Sequence, residues 1–286
     1  MESEFARLQQ SFGWRVEDHL VRDAETCVWF AARTEVRESV YSDAQWVELD
    51  DKLDGSWWTV VRNRIIGDAL RDSGVRGLVW DLGGGTGVVT AYLSACGFAT
   101  INVEPSHFGA VRSAQRGVAT VCASLNELRL PNDSVAAISM FDVLEHLPDR
   151  RDLLREIHRV MAPGGHLILT VPALKLLWSQ HDVDLGHLLR YSRRSLRKEL
   201  RESGFDVALS GYFFLLTVVP LLVIRAVPFR LGFRRSVSSD TTLAAQGGVL
   251  GKFVGWLERR LALRTPIGSS LLFVARKGSR RESERS

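Results

Sequence analysis

Val79-Trp-Asp-Leu-Gly-Gly-Gly-Thr-Gly-Val-Val89 decides how the rest of the chain is read. Leu78 to Leu82 is a short apolar run holding one carboxylate, and four glycines, Gly83, Gly84, Gly85 and Gly87, break it before a helical pattern starts near Thr86. A strand that ends in such a loop must turn sharply, and glycine both accepts left-handed dihedrals and leaves room for a ligand against the backbone. Glu104 closes the next apolar run, roughly twenty residues on, where a carboxylate can take both hydroxyls of a ribose. The loop reads as a nucleoside-cofactor site, with a tight turn that binds nothing as the plain alternative. A dinucleotide fingerprint needs G-x-G-x-x-G, but the position three after Gly85 is Val88 and the third glycine falls at Gly87. Asp81, just before the loop, would repel a pyrophosphate and attract a cation.

Outward from this loop the pattern is α/β. Val118-Ala-Thr-Val-Cys122, Val135 to Phe141 and His166 to Pro172 read as strands, with helices over Thr86 to Cys96, His107 to Arg116, Asp149 to Met161 and Ser192 to Glu202. Such alternation predicts a parallel, Rossmann-like sheet with helices on both faces. The strand at His166 is expected to follow a turn at Pro163-Gly164-Gly165. Residues 1–75 lack strand-like alternation and show helical spacing at Trp57, Trp58, Val61, Ile65, Ile66, Ala69 and Leu70, which predicts a helical cap. A domain over 76–276 follows, with a helical, partly apolar insertion at 213–265 before a last strand Ser270 to Arg276, and a basic disordered tail at 277–286.

The chain has 286 residues, 45% hydrophobic and 24% charged, enough for one large α/β unit and too apolar for wholesale disorder. Cys27, Cys96 and Cys122 are widely spaced without a CxxC pair, which suits free thiols in a reducing compartment. The N-terminus has no basic start followed by an apolar run, so a cytoplasmic location is expected. A net charge of +4 without a central run of basic and aromatic residues argues against nucleic acid as a partner. Gly211 to Ile224 is apolar but short and interrupted by Pro220, so it does not read as a spanning helix. A core or lid helix, or a peripheral membrane contact through 211–235 that uses Arg225, Arg230, Arg234 and Arg235, both remain open.

Asp81-Leu-Gly-Gly-Gly-Thr-Gly87, Ile101-Asn-Val-Glu-Pro105, Phe141-Asp-Val-Leu-Glu-His-Leu-Pro-Asp149 and His158 to Pro172 together resemble the class I S-adenosylmethionine (SAM) dependent methyltransferases of the small-molecule type, closely over about 78–171. The resemblance implies seven strands in the order 3-2-1-4-5-7-6 with the last antiparallel. It implies that Asp81, Gly83, Gly85 and Gly87 line the methionine and ribose of SAM and that Glu104 holds the ribose. Ala123, Ser124 and Leu125 would border the adenine, and Phe141 and Asp142 would sit beside the methyl. Relatives carry Asp at the position of Ser124, and Cys at that of Gly84, the second exchange being expected to be harmless.

Because a sulfonium is already a good leaving group, methyl transfer needs mainly an in-line approach and the exclusion of water. A base is required only if the acceptor carries a proton, and His146, His187 and Tyr191 are the candidates. His146 follows the strand that borders the cofactor, with a structural histidine as its alternative. His187 lies in Trp178-Ser-Gln-His-Asp-Val-Asp-Leu-Gly-His-Leu-Leu-Arg-Tyr191, which follows the fifth strand and overhangs the carboxyl edge of the sheet. This segment resembles the D-x-x-x-x-H-x-x-R-Y stretch of some family members, and Trp178, Asp182 and Arg190 are the candidate substrate contacts; a solvated loop capped by Ser192 is the alternative. Asp142, Glu145 and His146 resemble the divalent-metal set of the quinone O-methyltransferase branch, which would bind magnesium; a set that binds no metal stands beside that reading. The expected function is methylation, at O or C, of a small apolar or aromatic acceptor. A SAM-binding protein without turnover, or one using SAM otherwise, is the alternative, and a nicotinamide dehydrogenase is disfavoured by Val88.

Overall fold

The computed structural model of the protein describes residues 2–32, 46, 47, 50, 54–233 and 248–278. Its centre is one sheet in the order β1-β2-β5-β4-β3-β6-β7-β9-β8. The strands are β1 (Leu20–Arg22), β2 (Trp29–Ala31), β3 (Val79–Leu82), β4 (Thr100–Val103), β5 (Thr120–Cys122), β6 (Val135–Phe141), β7 (Met161–Pro172), β8 (Phe205–Phe213) and β9 (Ser270–Lys277). From β2 to β7 neighbouring strands run parallel, and β9 runs antiparallel to both β7 and β8.

Alternation along β3 sets the two layers. Trp80 and Leu82 enter a core shared with α1 (Glu2–Phe12), α5 (Arg150–Val160) and α7 (Arg193–Glu202), through Phe5, Leu154, Ile157, Leu196 and Leu200. Val79 enters the opposite core with α2 (Trp57–Asp72) and α3 (Val88–Ala95), through Ile65, Ile66, Leu70 and Leu93. All four residues of β3 are buried, as a central strand covered on both faces requires. α4 (His107–Gln115) lies between β4 and β5 in the chain.

Several expectations need correction. Among the described residues the sheet has nine strands rather than seven. The preface is not purely helical, because β1 and β2 form a hairpin whose second strand pairs parallel with β5. Three-residue strands carry too little alternation to be seen in sequence. Pro163-Gly164-Gly165 does not precede β7 but bulges within it, since Val135 pairs with Met161 and Ala137 already with His166. Phe213, placed in the insertion, is the last residue of β8. Lys277, placed in the tail, ends β9, where its ammonium donates to Asp133 and to the His158 carbonyl, both at 2.6 Å. Residues 279–286 of the expected tail and 234–247 of the insertion lie outside the described residues.

The apolar insertion is helical. Val218–Leu221, a π-helical turn Leu222–Ala226 and Val227–Arg230 run on as one segment, α8. Pro228 has no N–H for the carbonyl of Ile224 and its ring crowds it, which accounts for the wider turn. α9 (Val249–Leu261) follows and packs on α2.

Candidate active site

The glycine loop is held from below by side chains of three adjacent strands. In the sheet register Asp81 stands between Asn102 on β4 and Ser139 on β6. Its carboxylate accepts from Thr90 Oγ1 at 2.6 Å and Ser139 Oγ at 2.7 Å, and burial pushes its pKa up to about 6 despite these bonds. Asp81 is therefore enclosed beneath the loop, with its carboxylate engaged by these two hydroxyls. Asn102 Nδ2 donates to the Gly85 carbonyl at 3.1 Å. Gly85 and Ser106 donate their N–H groups to the two oxygens of Glu104, at 2.9 and 2.8 Å. Burial raises the Glu104 pKa to about 7, against these two bonds.

Gly83, Gly85 and Gly87 all have positive φ. Gly84 does not, yet a Cβ there would lie 2.8 Å from Asp81 Oδ2 and collide with Asn102 Oδ1. Glycine is therefore accommodated at the position where relatives carry Cys, and the neighbouring carboxylate and amide fill the space a side chain would need. A Cβ on Gly85 would come within 3.3 Å of the Trp46 ring, which lies over the loop. Asp50, also buried, accepts from Thr86 Oγ1 at 2.5 Å, Arg116 at 2.7 Å and Arg112 at 3.0 Å, and so ties the N-terminal region to the loop and to α4. Trp46 and Asp50 were invisible to sequence reasoning, as nothing local marks them.

Ser124 donates both its N–H and its hydroxyl to Glu127 Oε2, at 2.6 and 2.7 Å. The other oxygen, Oε1, is buried without a hydrogen-bond partner, and the charges of Glu104 and Glu127 both raise the pKa of Cys122, on top of its burial. A carboxylate thus stands near the position where Ser124 replaces Asp. The Ser-x-x-Glu spacing, in which a hydroxyl meets a carboxylate three residues on, was the available signal. Leu125 and Phe141 are buried and belong to the two cores.

A second polar cluster, where the acceptor is expected, is assembled at the carboxyl ends of β6 and β7. Asp142 has a left-handed φ of 57° just past β6 and accepts from Thr170 Oγ1 at 3.3 Å. It also forms an ion pair with Arg62, a residue of α2 whose guanidinium lies 4.5 Å from the Trp58 ring centroid. The 3₁₀ turn Leu144–His146 follows, and the Glu145 carbonyl accepts from Leu188 N–H at 2.7 Å, which brings the segment Trp178 to Tyr191 over it.

Within that segment Ser179 and Asp182 form a capping box on the short helix α6 (Gln180–Asp184). The second Asp182 oxygen takes Arg190 Nε at 2.6 Å and His187 Nδ1 at 3.0 Å. Burial works against ionisation of Asp182, but His187 and Arg190 outweigh it and lower its pKa to about 2. Arg190 also donates to the Ala173 carbonyl at 3.1 Å. Asp182 and Arg190, expected to contact substrate, fix one another and the His187 ring, and Trp178 is half-buried at the start of the segment.

The His187 and His146 rings meet edge to face at 4.8 Å. Burial, then the nearby His187, lowers the His146 pKa to about 4, leaving a neutral imidazole at pH 7. Glu145 is fully buried with neither oxygen hydrogen-bonded, and burial together with Asp142 holds its carboxyl well above the usual range. Glu145, His146 and His187 bring their ligating atoms within 4.8 Å of one another. This is not the oxygen-rich set expected for magnesium: Asp142 is held by Arg62 and Thr170, and one carboxyl with two imidazoles does not match the hard octahedral preference of that ion. Magnesium does not fit. Tyr191, a third candidate base, is a core residue 1% exposed, whose phenol neighbours Glu199 and Arg150 and is pushed up in pKa by burial.

A profile of the methyltransferase-domain family matches residues 64–210. An "Uncharacterized methyltransferase" of Mycobacterium bovis is 32% identical over 198 residues, 68% of this chain and 74% of the relative. A "Probable S-adenosylmethionine-dependent methyltransferase" of Mycobacterium tuberculosis is 34% identical over 106 residues, 36% of this chain and 39% of its own. Among curated relatives the match can thus span as little as 39% to 54% of their length. In structure, the chain is similar to phosphoethanolamine N-methyltransferase 2 of Haemonchus contortus, determined with SAM, at a TM-score of 0.53 and 16% identity, covering 88% of this chain and 62% of that one.

Proposed function

Since the chain belongs to the SAM-dependent methyltransferases, we propose that it methylates a small, uncharged acceptor at oxygen or carbon, with His187 as the base. When bound, SAM supplies an electrophilic methyl on a sulfonium. The glycine loop, where a Cβ would fill the cradle, and the Glu104 carboxylate fit its ribose and methionine, and the unpartnered Glu127 Oε1 fits an adenine amino group.

The observation that carries the proposal is the Asp182–His187 pair facing His146 and Glu145 at the carboxyl edge of the sheet. With Nδ1–H donated to Asp182, the other His187 nitrogen is an acceptor for a hydroxyl or acidic C–H proton. Asp182 stabilises the imidazolium so formed without taking the proton, and Arg190 keeps Asp182 ionised. The proton leaves the acceptor for His187 as the methyl bonds to the acceptor atom. Neutral His146, a Glu145 carboxyl whose ionisation burial disfavours, and the compensated pairs Arg62–Asp142 and Arg190–Asp182 favour an uncharged acceptor over an ammonium or a phosphate. The test is acceptor-dependent formation of S-adenosylhomocysteine across a panel of phenols, enols and amines. Turnover confined to amines overturns the acceptor class, and SAM binding without turnover on any member favours the binding-only alternative.

A further inference from the structure

α8 inverts the usual surface arrangement of an amphipathic helix. Leu216, Val219, Val223, Val227 and Leu231 recur every three or four residues on one side, and Val219, Val223 and Leu231 are 66%, 59% and 70% exposed. A solvent-facing stripe at this spacing is ordinarily polar. On α9, Phe253 and Trp256 stack at 5.9 Å, both more than half exposed, with the Arg260 guanidinium 5.7 Å from the Trp256 ring. The Glu258 carboxylate of α9 accepts from the N–H groups of Leu215 and Leu216, at 2.9 and 2.7 Å, so the two helices adjoin where α8 starts.

The charge of this region is one-sided. Between Phe214 and Ile267 the sequence has eight Lys or Arg and only two acids, Asp240 and Glu258, and Glu258 is buried under α8. Arg230, Lys252 and Arg260 are exposed around the apolar side chains. No helix among the described residues is long and apolar enough to cross a membrane. The thirteen residues of α8 reach only about 20 Å, against a hydrocarbon core of about 30 Å.

We propose that α8 and the outer face of α9 dock the protein on a bilayer of anionic lipid, lying in the headgroup plane with the valines and aromatic residues inserted and the cations against lipid phosphates. Apolar stripe and cationic rim together match that surface, whereas a second copy of the chain would bring like charges together. The inner side of α8 adds a functional connection: Ile224, Arg225, Pro228 and Phe229 border a small cavity with Ser179, Gln180 and His181, the segment whose Asp182 holds His187. Docking through α8 sets the acceptor side of the sheet next to the bilayer, where an acceptor dissolved in lipid is concentrated.

The full chain is tested by sedimentation with vesicles of phosphatidylcholine alone and with about three tenths phosphatidylglycerol. Binding is expected on the anionic vesicles, with a partition coefficient at least about tenfold higher than on neutral ones and falling again in about 1 M NaCl. V219D/V223D is expected to lose binding to both vesicle types by at least about tenfold, and K252E/R260E to lose only the anionic preference. Circular dichroism and SAM affinity should be unchanged in both variants, which keeps the test independent of methyl transfer. No vesicle binding by the wild-type chain, or equal binding by V219D/V223D, overturns the proposal. A concentration-dependent dimer that V219D/V223D dissolves, without vesicle binding, identifies a second copy as the occupant and overturns it equally.

Discussion

Two groups of buried carboxylates stand at the same edge of the sheet and are satisfied in opposite ways. Beneath the glycine loop, Asp81 is bonded to two hydroxyls, Glu104 to two amides, and Asp50 to a threonine and two arginines. On the acceptor side Glu145, just as buried, has no hydrogen-bond partner and stands beside two histidines. Burial without a partner disfavours the anion, so the Glu145 carboxyl is held above the usual carboxylate range. The carboxylates under the loop are engaged within the protein, apart from Glu127 Oε1, whereas the Glu145 carboxyl beside the histidines keeps both oxygens open for a partner.

The strongest break of this contrast is His187→Ala. Turnover should fall about 10² to 10⁴-fold while SAM affinity, measured by calorimetry, stays within about twofold. An equal loss at both would mean that the two sides are one structural unit. Next, Gly84→Val pushes a side chain into Asp81 and Asn102 and should abolish SAM binding and lower stability by about 3 kcal/mol. A variant that melts like the wild type and binds SAM would remove the loop from the site.

Glu104→Ala should weaken SAM by about 1 to 3 kcal/mol, and the intact residue should give a pH signature. With a pKa raised from 4.5 to about 7, Glu104 is protonated in the free protein below neutrality. SAM affinity should therefore rise with pH up to about 7 and then level off, and Glu104→Gln should flatten the profile. The same raised value means that the folded chain holds this proton when the unfolded one has lost it, so Glu104 subtracts stability as pH rises from 4.5 to about 7. A pH-independent affinity would show that ribose does not meet Glu104.

A smaller effect separates Glu127 from its neighbours. Glu127→Ala should lower SAM affinity about tenfold, yet leave unchanged the affinity for an analogue lacking the exocyclic adenine amino group. Equal loss for both would assign Glu127 to holding the Ser124 turn alone. At the low end, Tyr191→Phe should change turnover and SAM affinity by less than about twofold, because only a core hydroxyl is removed. A large fall in turnover would return Tyr191 to the reacting centre.

The same contrast explains what could be read from the chain beforehand. The loop, Glu104 and the β3–β4 spacing lie within 26 consecutive residues, Val79 to Glu104, and backbone constraints on glycine write themselves into local sequence. The acceptor side joins Arg62 of α2, Asp142 past β6 and His187 past β7, and no local pattern says that Arg62 will take the carboxylate assigned to a metal. Asp182 was assigned to substrate because a capping box and a catalytic carboxylate look alike until their partners are known. β1 and β2 stayed hidden because an edge strand of three residues is created by its neighbour, not by its own pattern.

The position of β9 reaches beyond the site, into how the chain is made. Among the described residues the ladder partner of β8 is β9, and β9 enters between β7 and β8 although it follows both in the chain. While residues up to 269 leave the ribosome, the nine residues of β8 have no sheet neighbour and the β7 edge stays open. Closure of this part of the sheet is therefore a long-range event, and the nascent chain exposes two unpaired strand edges to chaperones or aggregation until β9 emerges.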